Sequence, residues 1–533
     1  MAGTSDHSAL GARIWIESDG TIHYDKSDIN AQLQALSAGG TLTDTFTYAI
    51  QLGNGTLSWA TVTLQFAGLN DAPTMVVGST TANAAFSEAA NTTGSSTPDQ
   101  VTGTIVFSDV DAHDTHTVSQ SGPSFAWSSG ALTSAQAAAL TAASNLNLLT
   151  SDSTNAATAT GSVKWTYSAA DKTFDFLAAG ETLTVTYTVT IDDGHGGTVI
   201  QPVTVTVTGT NDQPTIVPGA TTATGSITEA AGTTGSTASD TASGTIAFAD
   251  VDLSDTHTVS ITGVTVGGTT SGLPANSTLL SWLSLGAKAD STNGAVGSQP
   301  WSFAAQDKSF DFLAAGQTAT LTYTVRVADA HGGSTSQNVV VTITGSNDAP
   351  SIVAGSTTAT GSFSELSGQS GSSTTDSASG MIAFADVDLS DTHTVGQGTA
   401  SFAWSGGSLT AGQISALTSA STLTLTKTDS TGSGSGGVAW SYSARDKSFD
   451  FLAAGQTLTT TYTVTIDDGH GGVVSQPVTI TVTGTNDTPV ITSSVQGAVL
   501  TELAATTGSN SADSASGVVT FTDVDLSDTH TMS

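Results

Sequence analysis

A long internal repeat is the feature that most constrains this chain. The tetrapeptides NDAP, NDQP, NDAP and NDTP begin at Asn70, Asn211, Asn347 and Asn486, which are 141, 136 and 139 residues apart. Repeats of this length are large enough to fold as separate units, so the 533 residues are not expected to share one core. The predicted units are a partial repeat at 1–72, complete repeats at 73–213, 214–349 and 350–488, and a second partial repeat at 489–533.

The second half of each repeat predicts β-strands. In the first complete copy, apolar residues alternate with threonine over residues 183–191 and again over 203–207. Alternation with a period of two is typical of a strand with one face buried and one exposed. The sequence DDGHGG at 192–197 separates the two runs and predicts the turn of a hairpin. Helices are predicted only at 132–144 and 409–421, so the fold is predicted to be all-β, a tandem series of antiparallel sandwiches.

The chain is strongly acidic. It has 10 Lys and Arg residues against 45 Asp and Glu residues, a formal net charge of −35 at pH 7. Nucleic acid and anionic membrane surfaces are poor partners for such a chain, because both are bound through cationic side chains; divalent cations are the natural counterpart. The sequence has no cysteine, which excludes disulfides and thiolate metal sites. It also has no apolar run of about 18 residues that would predict membrane insertion of this segment.

An acidic motif recurs in each copy. FSDVDAHDTHTV, FADVDLSDTHTV (twice) and FTDVDLSDTHTM begin at Phe107, Phe248, Phe384 and Phe521. Residues i and i+2 of an extended segment face the same side, so Asp250 and Asp252 are predicted to project together while Val251 enters the core. Two carboxylates about 5 Å apart repel by roughly 3 kcal/mol at an effective dielectric near 20. Because the motif contains no Lys or Arg, a bound cation is the expected remedy.

Four acidic or amide elements recur in register: the ND pair, a Glu that follows it, the DVDxxD cluster and the DDGHGG turn. Oxygen ligands of this kind suit Ca²⁺ better than a transition metal. The spacing is not that of an EF-hand loop, and the turn does not match the calcium-binding nonapeptide. The predicted calcium ligands are Asn70, Asp71, Glu88, Asp109, Asp111, Asp114, Asp192, Asp193, Asn211, Asp212, Glu229, Asp250, Asp252, Asp255, Asp329, Asn347, Asp348, Glu365, Asp386, Asp388, Asp391, Asp467, Asp468, Asn486, Asp487, Glu502, Asp523 and Asp525.

Two other chemistries fit the pattern less well. Histidine recurs in DTHT and in the turn, and we expect the DTHT imidazole to hydrogen-bond a neighbouring carboxylate in preference to binding zinc. Paired carboxylates also perform glycoside hydrolysis. A catalytic constellation normally occurs once in a chain, however, whereas each candidate here recurs in every repeat, and no GxSxG, HExxH or Walker motif is present. The sequence therefore predicts that the chain is not an enzyme.

Three motifs at fixed spacing resemble the VCBS repeat family. They are GxIxFxDVDxxDTHTV, the run that contains DKxFDFLAAGxTxTxTYTV, and the closing VTVTGTNDxP. Repeats of this family occur in very large bacterial surface and secreted proteins, often RTX-type adhesins. The resemblance implies immunoglobulin- or cadherin-like sandwiches in an elongated array. It also implies type I secretion, a location outside the cell or on its surface, and a role in adhesion or biofilm formation.

The resemblance also implies where Ca²⁺ would bind. In cadherins, a linker containing ND, a Glu of the following domain and a DxD of that domain enclose Ca²⁺ between modules. Transferred to this chain, the first site consists of Asn70, Asp71, Glu88, Asp109 and Asp111. Turn carboxylates of the preceding repeat are expected to complete each site. Gln51 and Leu52 stand at the turn position of the first partial repeat, so the first junction is expected to bind Ca²⁺ more weakly.

Two functions follow as hypotheses. The first is a calcium-stiffened extension module that holds a distant adhesive tip away from a bacterial cell. The second is that the repeats themselves bind extracellular glycans or surface proteins through aromatic residues of the variable segment, the stretch of 53 to 58 residues between the Phe of the acidic motif and the next repeated Trp. The alternative for these aromatics is a place in the core. The aromatic residues concerned are Phe125, Trp127, Trp282, Phe402 and Trp404.

Overall fold

The computed structural model describes residues 6–90, 92–152 and 160–533. Strands dominate these residues and the helices are few and short. The fold is the predicted one: all-β, with antiparallel sandwich units in an elongated tandem array. No helix in the described ranges is both long and apolar enough to cross a membrane.

The N-terminal unit is partial. Its elements are β1 (Asp6–His7), β2 (Arg13–Ile16), β3 (Ile22–Asp25), a 3₁₀ turn (Lys26–Ile29), α1 (Asn30–Gln34), β4 (Thr41–Gln51) and β5 (Leu57–Ala67). β1, β2 and β3 form one antiparallel sheet, and β4 pairs with β5 in another. The ring of Tyr24 lies against those of Phe46 and Phe66, which joins the two small sheets.

The first complete repeat has nine strands and one helix within the described residues. They are β6 (Thr74–Met75), β7 (Asn83–Ser87), β8 (Pro98–Ser108), β9 (Thr117–Gln120), β10 (Ser124–Trp127), α2 (Ser134–Ala143), β11 (Asn145–Ser151), β12 (Thr160–Ala170), β13 (Thr182–Asp192) and β14 (Thr198–Thr208). One sheet has the order β6-β8-β12-β11. The other has the order β7-β14-β13, with β9 and β10 both paired to the free edge of β13.

This topology is that of an immunoglobulin-type sandwich. In their order across each sheet, the strands of the first sheet correspond to A, B, E and D, and those of the second to C, F and G. β7 adds to the second sheet by pairing in parallel with the last strand, β14. Strands that run in parallel end at the same side of the sheet, so the residue after β7 lies beside the linker that leaves the repeat.

The second and third complete repeats follow the same plan. The second has β15 (Thr215–Ile216), β16 (Thr224–Thr228), β17 (Ser239–Ala249), β18 (Thr258–Gly268), α3 (Asn276–Ser281), β19 (Leu283–Leu285), β20 (Gly297–Gln306), β21 (Thr318–Ala328) and β22 (Ser334–Thr344). The third has β23 (Ser351–Ile352), β24 (Thr360–Ser364), β25 (Thr375–Ala385), β26 (Thr394–Gln397), β27 (Ser401–Trp404), α4 (Ala411–Ala420), β28 (Thr422–Thr428), β29 (Ser435–Arg445), β30 (Thr457–Asp467) and β31 (Val473–Thr483). Short 3₁₀ turns lie at Val77–Ser79, Asp171–Thr173, Pro218–Ala220, Thr292–Gly294, Asp307–Ser309, Ala354–Ser356 and Asp446–Ser448.

A buried tryptophan organises each core. Trp165 is fully buried, and its Nε1 donates to the carbonyl of Thr81 at 2.8 Å. A Cβ at Gly103, on the neighbouring strand, would lie 2.4 Å from the indole, so the first glycine of the GxIxF motif makes room for the ring. Trp301 and Trp440 make the same hydrogen bond in their repeats. The GxIxF motif therefore provides space for the buried tryptophan, and it leads directly into the acidic residues.

The predicted local elements are confirmed with one exception. Helices α2 and α4 and the hairpins around the DDGHGG turns are present where the pattern placed them. The prediction that Val251 enters the core is wrong. The chain bends directly after β17, so Val251 is only half-buried, while Asp250 and Asp252 are the buried residues. In the last, partial unit the strands are β32 (Val490–Ile491) and β33 (Phe521–Thr522), which pair with each other.

Candidate metal centres

One kind of carboxylate cluster, the linker cluster, lies where a repeat ends. In the first complete repeat it consists of Glu88, Asp175 and Asp212, whose ligand oxygens all lie within 4.8 Å of one another. Glu88 follows β7, which runs parallel to β14, and it accepts the N–H of Thr210 in the outgoing linker at 3.1 Å. Asp175 accepts the N–H of Gly94 at 2.7 Å. The later linker clusters are Glu229, Asp311 and Asp348, then Glu365, Asp450 and Asp487.

A second kind, the turn cluster, lies where a repeat begins. In the second complete repeat it consists of Asp250, Asp255 and Asp329. Asp250 comes directly after β17, and the turn between β21 and β22 brings Asp329 to the same end of the sandwich. The N–H groups of His331 and Gly333 donate to Asp329 Oδ1 at 2.8 and 2.9 Å and fold the turn around that carboxylate. The corresponding cluster of the first complete repeat is Asp109, Asp114 and Asp193.

The ND linker connects the two kinds of cluster across each junction. Asp212 belongs to a linker cluster, yet its N–H donates to Asp252 Oδ2 of the next repeat at 3.0 Å. The Nδ2 of Asn211 donates to Asp329 Oδ2, in the next turn cluster, at 3.2 Å. Equivalent contacts join Asn70 to Asp193 and Asp71 to Asp111, then Asn347 to Asp468 and Asp348 to Asp388. Carboxylates of two successive repeats therefore meet around one linker.

Several oxygens of these clusters are buried and have no hydrogen-bond partner. Glu88 and Glu229 are 4% and 3% exposed, and the Oε1 of each is among them. The others at the junctions include one side-chain oxygen each of Asn70, Asp111, Asn211, Asp212, Asp252, Asp255, Asn347, Asp348, Glu365, Asp388 and Asp525, and both of Asp114 and Asp487. Burying an unpaired charge is strongly unfavourable. Unpartnered carboxylate and amide oxygens that converge without sulfur fit a hard cation such as Ca²⁺.

Burial also changes the titration of these groups. Desolvation, reinforced by the neighbouring carboxylates, raises the pKa of Glu88, Glu229 and Glu365 to about 8. The same causes raise the pKa of Asp252 to about 8 and that of Asp388 to about 7. Keeping these groups ionised at neutral pH is unfavourable in the folded repeat unless a positive charge lies beside them.

The DTHT histidine of each complete repeat is held between two aspartates, which confirms the predicted hydrogen bond to a neighbouring carboxylate. His257 is buried; its Nε2 lies 2.9 Å from Asp250 Oδ2 and its Nδ1 lies 2.7 Å from Asp290 Oδ1. Burial alone would lower the pKa of His257, but the hydrogen bonds to the two aspartates raise it above its ordinary value. The imidazole therefore fixes the position of Asp250 within the turn cluster. The same arrangement recurs with His116, Asp109 and Asp152, and with His393, Asp386 and Asp429.

The structure groups some predicted residues differently from the expectation. Glu88 does not lie with Asn70 and Asp71; it belongs to the next linker cluster, with Asp212, because the parallel pairing carries it to the far end of its repeat. The turn carboxylates come from the repeat that follows a linker and not from the one that precedes it. Asp193 thus lies at the first junction, whereas Gln51 and Leu52 lie in the turn between β4 and β5, at the other end of β5 from the ND linker.

Some predicted residues lie outside the clusters. Asp192 and Asp467 each accept a glycine N–H of their own turn at 2.8 Å. In the last unit Asp525 accepts the N–H of Asp487, which is itself a linker-cluster member. Asp523 contacts His530, and Glu502 is exposed. Sequence reasoning missed Asp175, Asp311 and Asp450 as cluster members, although the repeated FDFLAAG carries the signal. It also missed Asp152, Asp290 and Asp429, the outer partners of the histidines.

The aromatic residues of the variable segment pack inwards. Phe125 and Trp127 contact the core of the first complete repeat, and the ring of Trp127 meets that of Phe176 edge-on at 5.6 Å. Trp282 and Trp404 pack against the cores of their own repeats in the same way. These side chains have a structural role, as the core interpretation of the sequence proposed.

A comparison with family models finds no match, and neither does a comparison with the sequences of curated proteins. Among solved structures, the chain is similar to the protocadherin gamma B4 extracellular domain (14% identity, TM-score 0.33, 92% of this chain and 62% of that chain). It is also similar to cadherin domains 1–5 of protocadherin gamma B2 (11%, 0.30, 90% and 72%) and to EC1–4 of Drosophila N-cadherin (13%, 0.22, 91% and 94%). The chain thus spans less than two thirds of the protocadherin gamma B4 chain.

At these levels of similarity, the strand topology of the repeats themselves defines the class of protein. Each complete repeat has the two sheets of an immunoglobulin-type sandwich with an added parallel strand, and carboxylates gather at both of its ends. The chain is a tandem array of such sandwiches with acidic junctions.

Proposed function

We propose that the chain is a calcium-stiffened extension segment of a large bacterial adhesin, secreted or held at the cell surface, that acts in cell adhesion or biofilm formation. The observation that carries the proposal is the convergence of buried, unpartnered carboxylate oxygens from two repeats on a single linker. A solvated acidic surface would leave these oxygens exposed to water. Glu88 and Asp252 are instead almost wholly buried.

The residues of the second junction have separate tasks in this proposal. Glu88 and Asp175 present oxygens from the end of one repeat, and Asp212 presents its own from the linker. Asp252 of the next repeat holds the backbone of Asp212 through the N–H contact, so the two sandwiches share one set of ligands. Ca²⁺ bound there would neutralise the carboxylates and tie both repeats to the linker. Rotation about the linker would then break ligand contacts, so the string of domains becomes a rod.

The bacterial surface, the RTX-type context and type I secretion rest on the VCBS resemblance of the repeat motifs. An extension segment needs no active site of its own, in keeping with acidic clusters that recur in each repeat. Binding of extracellular glycans or surface proteins by the repeats themselves is the weaker candidate, because Phe125, Trp127 and Trp404 pack against the cores.

Small-angle scattering on the 533-residue chain tests the stiffening. We expect a larger radius of gyration and maximum dimension with millimolar Ca²⁺ than with a chelator. The double variant Asp212→Asn, Asp348→Asn removes one linker-cluster carboxylate at two junctions and should lose most of that difference. The control variant Asp192→Asn, Asp467→Asn removes two carboxylates outside the clusters and should keep it. Identical profiles with Ca²⁺ and with chelator would refute the proposal.

A further inference from the structure

Successive units touch through one backbone contact that is common to all junctions. The N–H of the residue after DVD donates to a carbonyl of the preceding unit at 3.2–3.4 Å. The pairs are Ala112 with Ala35, Leu253 with Phe176, Leu389 with Phe312, and Leu526 with Phe451. The backbone path is therefore the same at each junction, and the side chains around it decide how firmly the junction is held.

The apolar side chains at this contact differ at the first junction. At the third, Leu389 packs against the core of the preceding repeat, where Phe312 is buried. The second junction has the same pair of residue types, Leu253 and Phe176. At the first junction both positions are alanine, Ala112 and Ala35, so the apolar contact between units is reduced to methyl groups.

A carboxylate is missing at the same place. Ser37 and the residues after it align without gaps to the segment 141 residues later, which puts Gln34 at the position of Asp175. The amide of Gln34 carries no charge, whereas Asp175, Asp311 and Asp450 are members of the linker clusters.

A side-chain hydrogen bond is also lost. At the second junction Ser254 Oγ donates to Glu181 Oε1 of the preceding repeat at 2.6 Å. At the last junction Gln456 and Ser527 make the corresponding contact, whereas at the third junction the Oε1 of Gln317, at the same position, has no hydrogen-bond partner. At the first junction the two positions are His113 and Gly40, and glycine has no side chain to accept the bond.

We infer that the first junction, around Asn70 and Asp71, is a hinge in a chain whose later junctions are stiff. The inference rests on the proposed calcium stiffening and adds to it that the stiffening is unequal along the chain. The turn cluster of Asp109, Asp114 and Asp193 still faces the first junction. At the first junction Gln34 replaces the linker-cluster aspartate, and two alanines replace the leucine and phenylalanine of the second and third junctions.

Distance measurements across each junction test this. The natural chain has no cysteine, so two introduced cysteines carry the labels without interference. Thr198→Cys with Ser260→Cys spans the second junction, and Leu57→Cys with Ser119→Cys spans the first at the equivalent exposed positions. Double electron–electron resonance on the full chain then gives the width of each distance distribution. We expect Ca²⁺ to narrow the distance distribution across the second junction at least twofold. The distribution across the first junction should stay nearly as broad as in chelator.

A reciprocal swap assigns the cause. Gln34→Asp with Ala112→Leu gives the first junction two side chains of the second and should narrow its distribution in Ca²⁺. Asp175→Gln with Leu253→Ala should broaden the distance distribution across the second junction in Ca²⁺. Equal narrowing of both junctions in the natural chain, or no response of either to the swaps, would overturn the hinge. If Ca²⁺ narrows neither distance distribution, both the proposed stiffening and the hinge are wrong.

Discussion

The linker cluster and the turn cluster place similar numbers of carboxylates at the two sides of a junction, but the protein supports them differently. In the turn cluster Asp193 is buried, which tends to raise its pKa. Hydrogen bonds from Asn70 and from the N–H groups of His195 and Gly197 outweigh this and lower that pKa below the usual value. In the linker cluster Glu88 accepts one N–H, and its pKa is raised to about 8.

From this difference we expect the linker cluster to depend more than the turn cluster on the proposed cation. Hydrogen-bond donors of the protein stabilise the ionised form of Asp193, and in the next repeat His257 holds the side chain of Asp250 in place. The linker cluster has few such donors, so its negative charges remain uncompensated. We expect the turn cluster to be part of the folded repeat with or without Ca²⁺, and the linker cluster to relax when the ion is removed.

The largest expected effect comes from removing the histidine that supports a turn cluster. His257→Leu leaves the buried Asp250 without its imidazole partner, and breaking a buried ion pair costs about 3–5 kcal/mol; Asp290 is 21% exposed and keeps its contact with Lys288. Native-state hydrogen exchange of the full chain should show that loss in β17 and β20. The unchanged third repeat is the internal reference. His331→Leu removes an imidazole that is 39% exposed and has one carboxylate contact, to Asp255 at 3.1 Å, so it should cost less than His257→Leu. Equal protection from hydrogen exchange in the two variants would show that His257 does not support the turn cluster.

A smaller effect, with a distinctive pH dependence, is expected at the linker cluster in chelator. The pKa of Glu229 is raised by burial to about 8 in the folded state, so the folded repeat holds a proton that the unfolded chain releases near pH 4.5. Stability from this group is fully present below about pH 4.5 and is lost as the pH rises towards 8.

Glu229→Gln keeps the shape of the side chain without the charge, so in chelator at pH 8 it should stabilise the second repeat by about 1–3 kcal/mol. With Ca²⁺ the order should reverse, because the variant lacks a ligand. Thermal unfolding of both proteins at pH 5 and pH 8, with and without Ca²⁺, gives the four values needed. A variant that is less stable than the natural chain in chelator at pH 8 would contradict the comparison.

The smallest effect is expected at the turn residue outside both clusters. Asp192→Asn should change stability by no more than about 0.5 kcal/mol and leave calcium binding unaltered. Among the described residues, the side chain of Asp192 hydrogen-bonds only the N–H of Gly194 in its own turn. The neighbouring Asp193→Asn should weaken calcium binding at the first junction, since Asp193 is a member of the turn cluster. Calorimetric titration with Ca²⁺ compares the two variants. Equal losses of calcium affinity would show that Asp192 also belongs to the cluster.

The fold was largely predictable because its signals are local. Period-two alternation and the DDGHGG turns predict the hairpins of β13–β14 and β30–β31, and the repeat length predicts units that fold separately. Most cluster members could also be named from the recurring motifs. Asp175 was missed because FDFLAAG contains one acidic residue among apolar ones, and nothing local shows that it faces Glu88.

By itself the sequence determined the repeat, the strands, the excess of oxygen ligands and most of the residues that provide them. Only the tertiary structure decided which carboxylates share a cluster. The parallel pairing of β7 with β14 carries Glu88 to the outgoing linker, and the hairpin turn carries Asp193 back to the incoming one. These assignments depend on the direction of strands that lie far apart in the chain, and a local pattern of residues has no information about that direction.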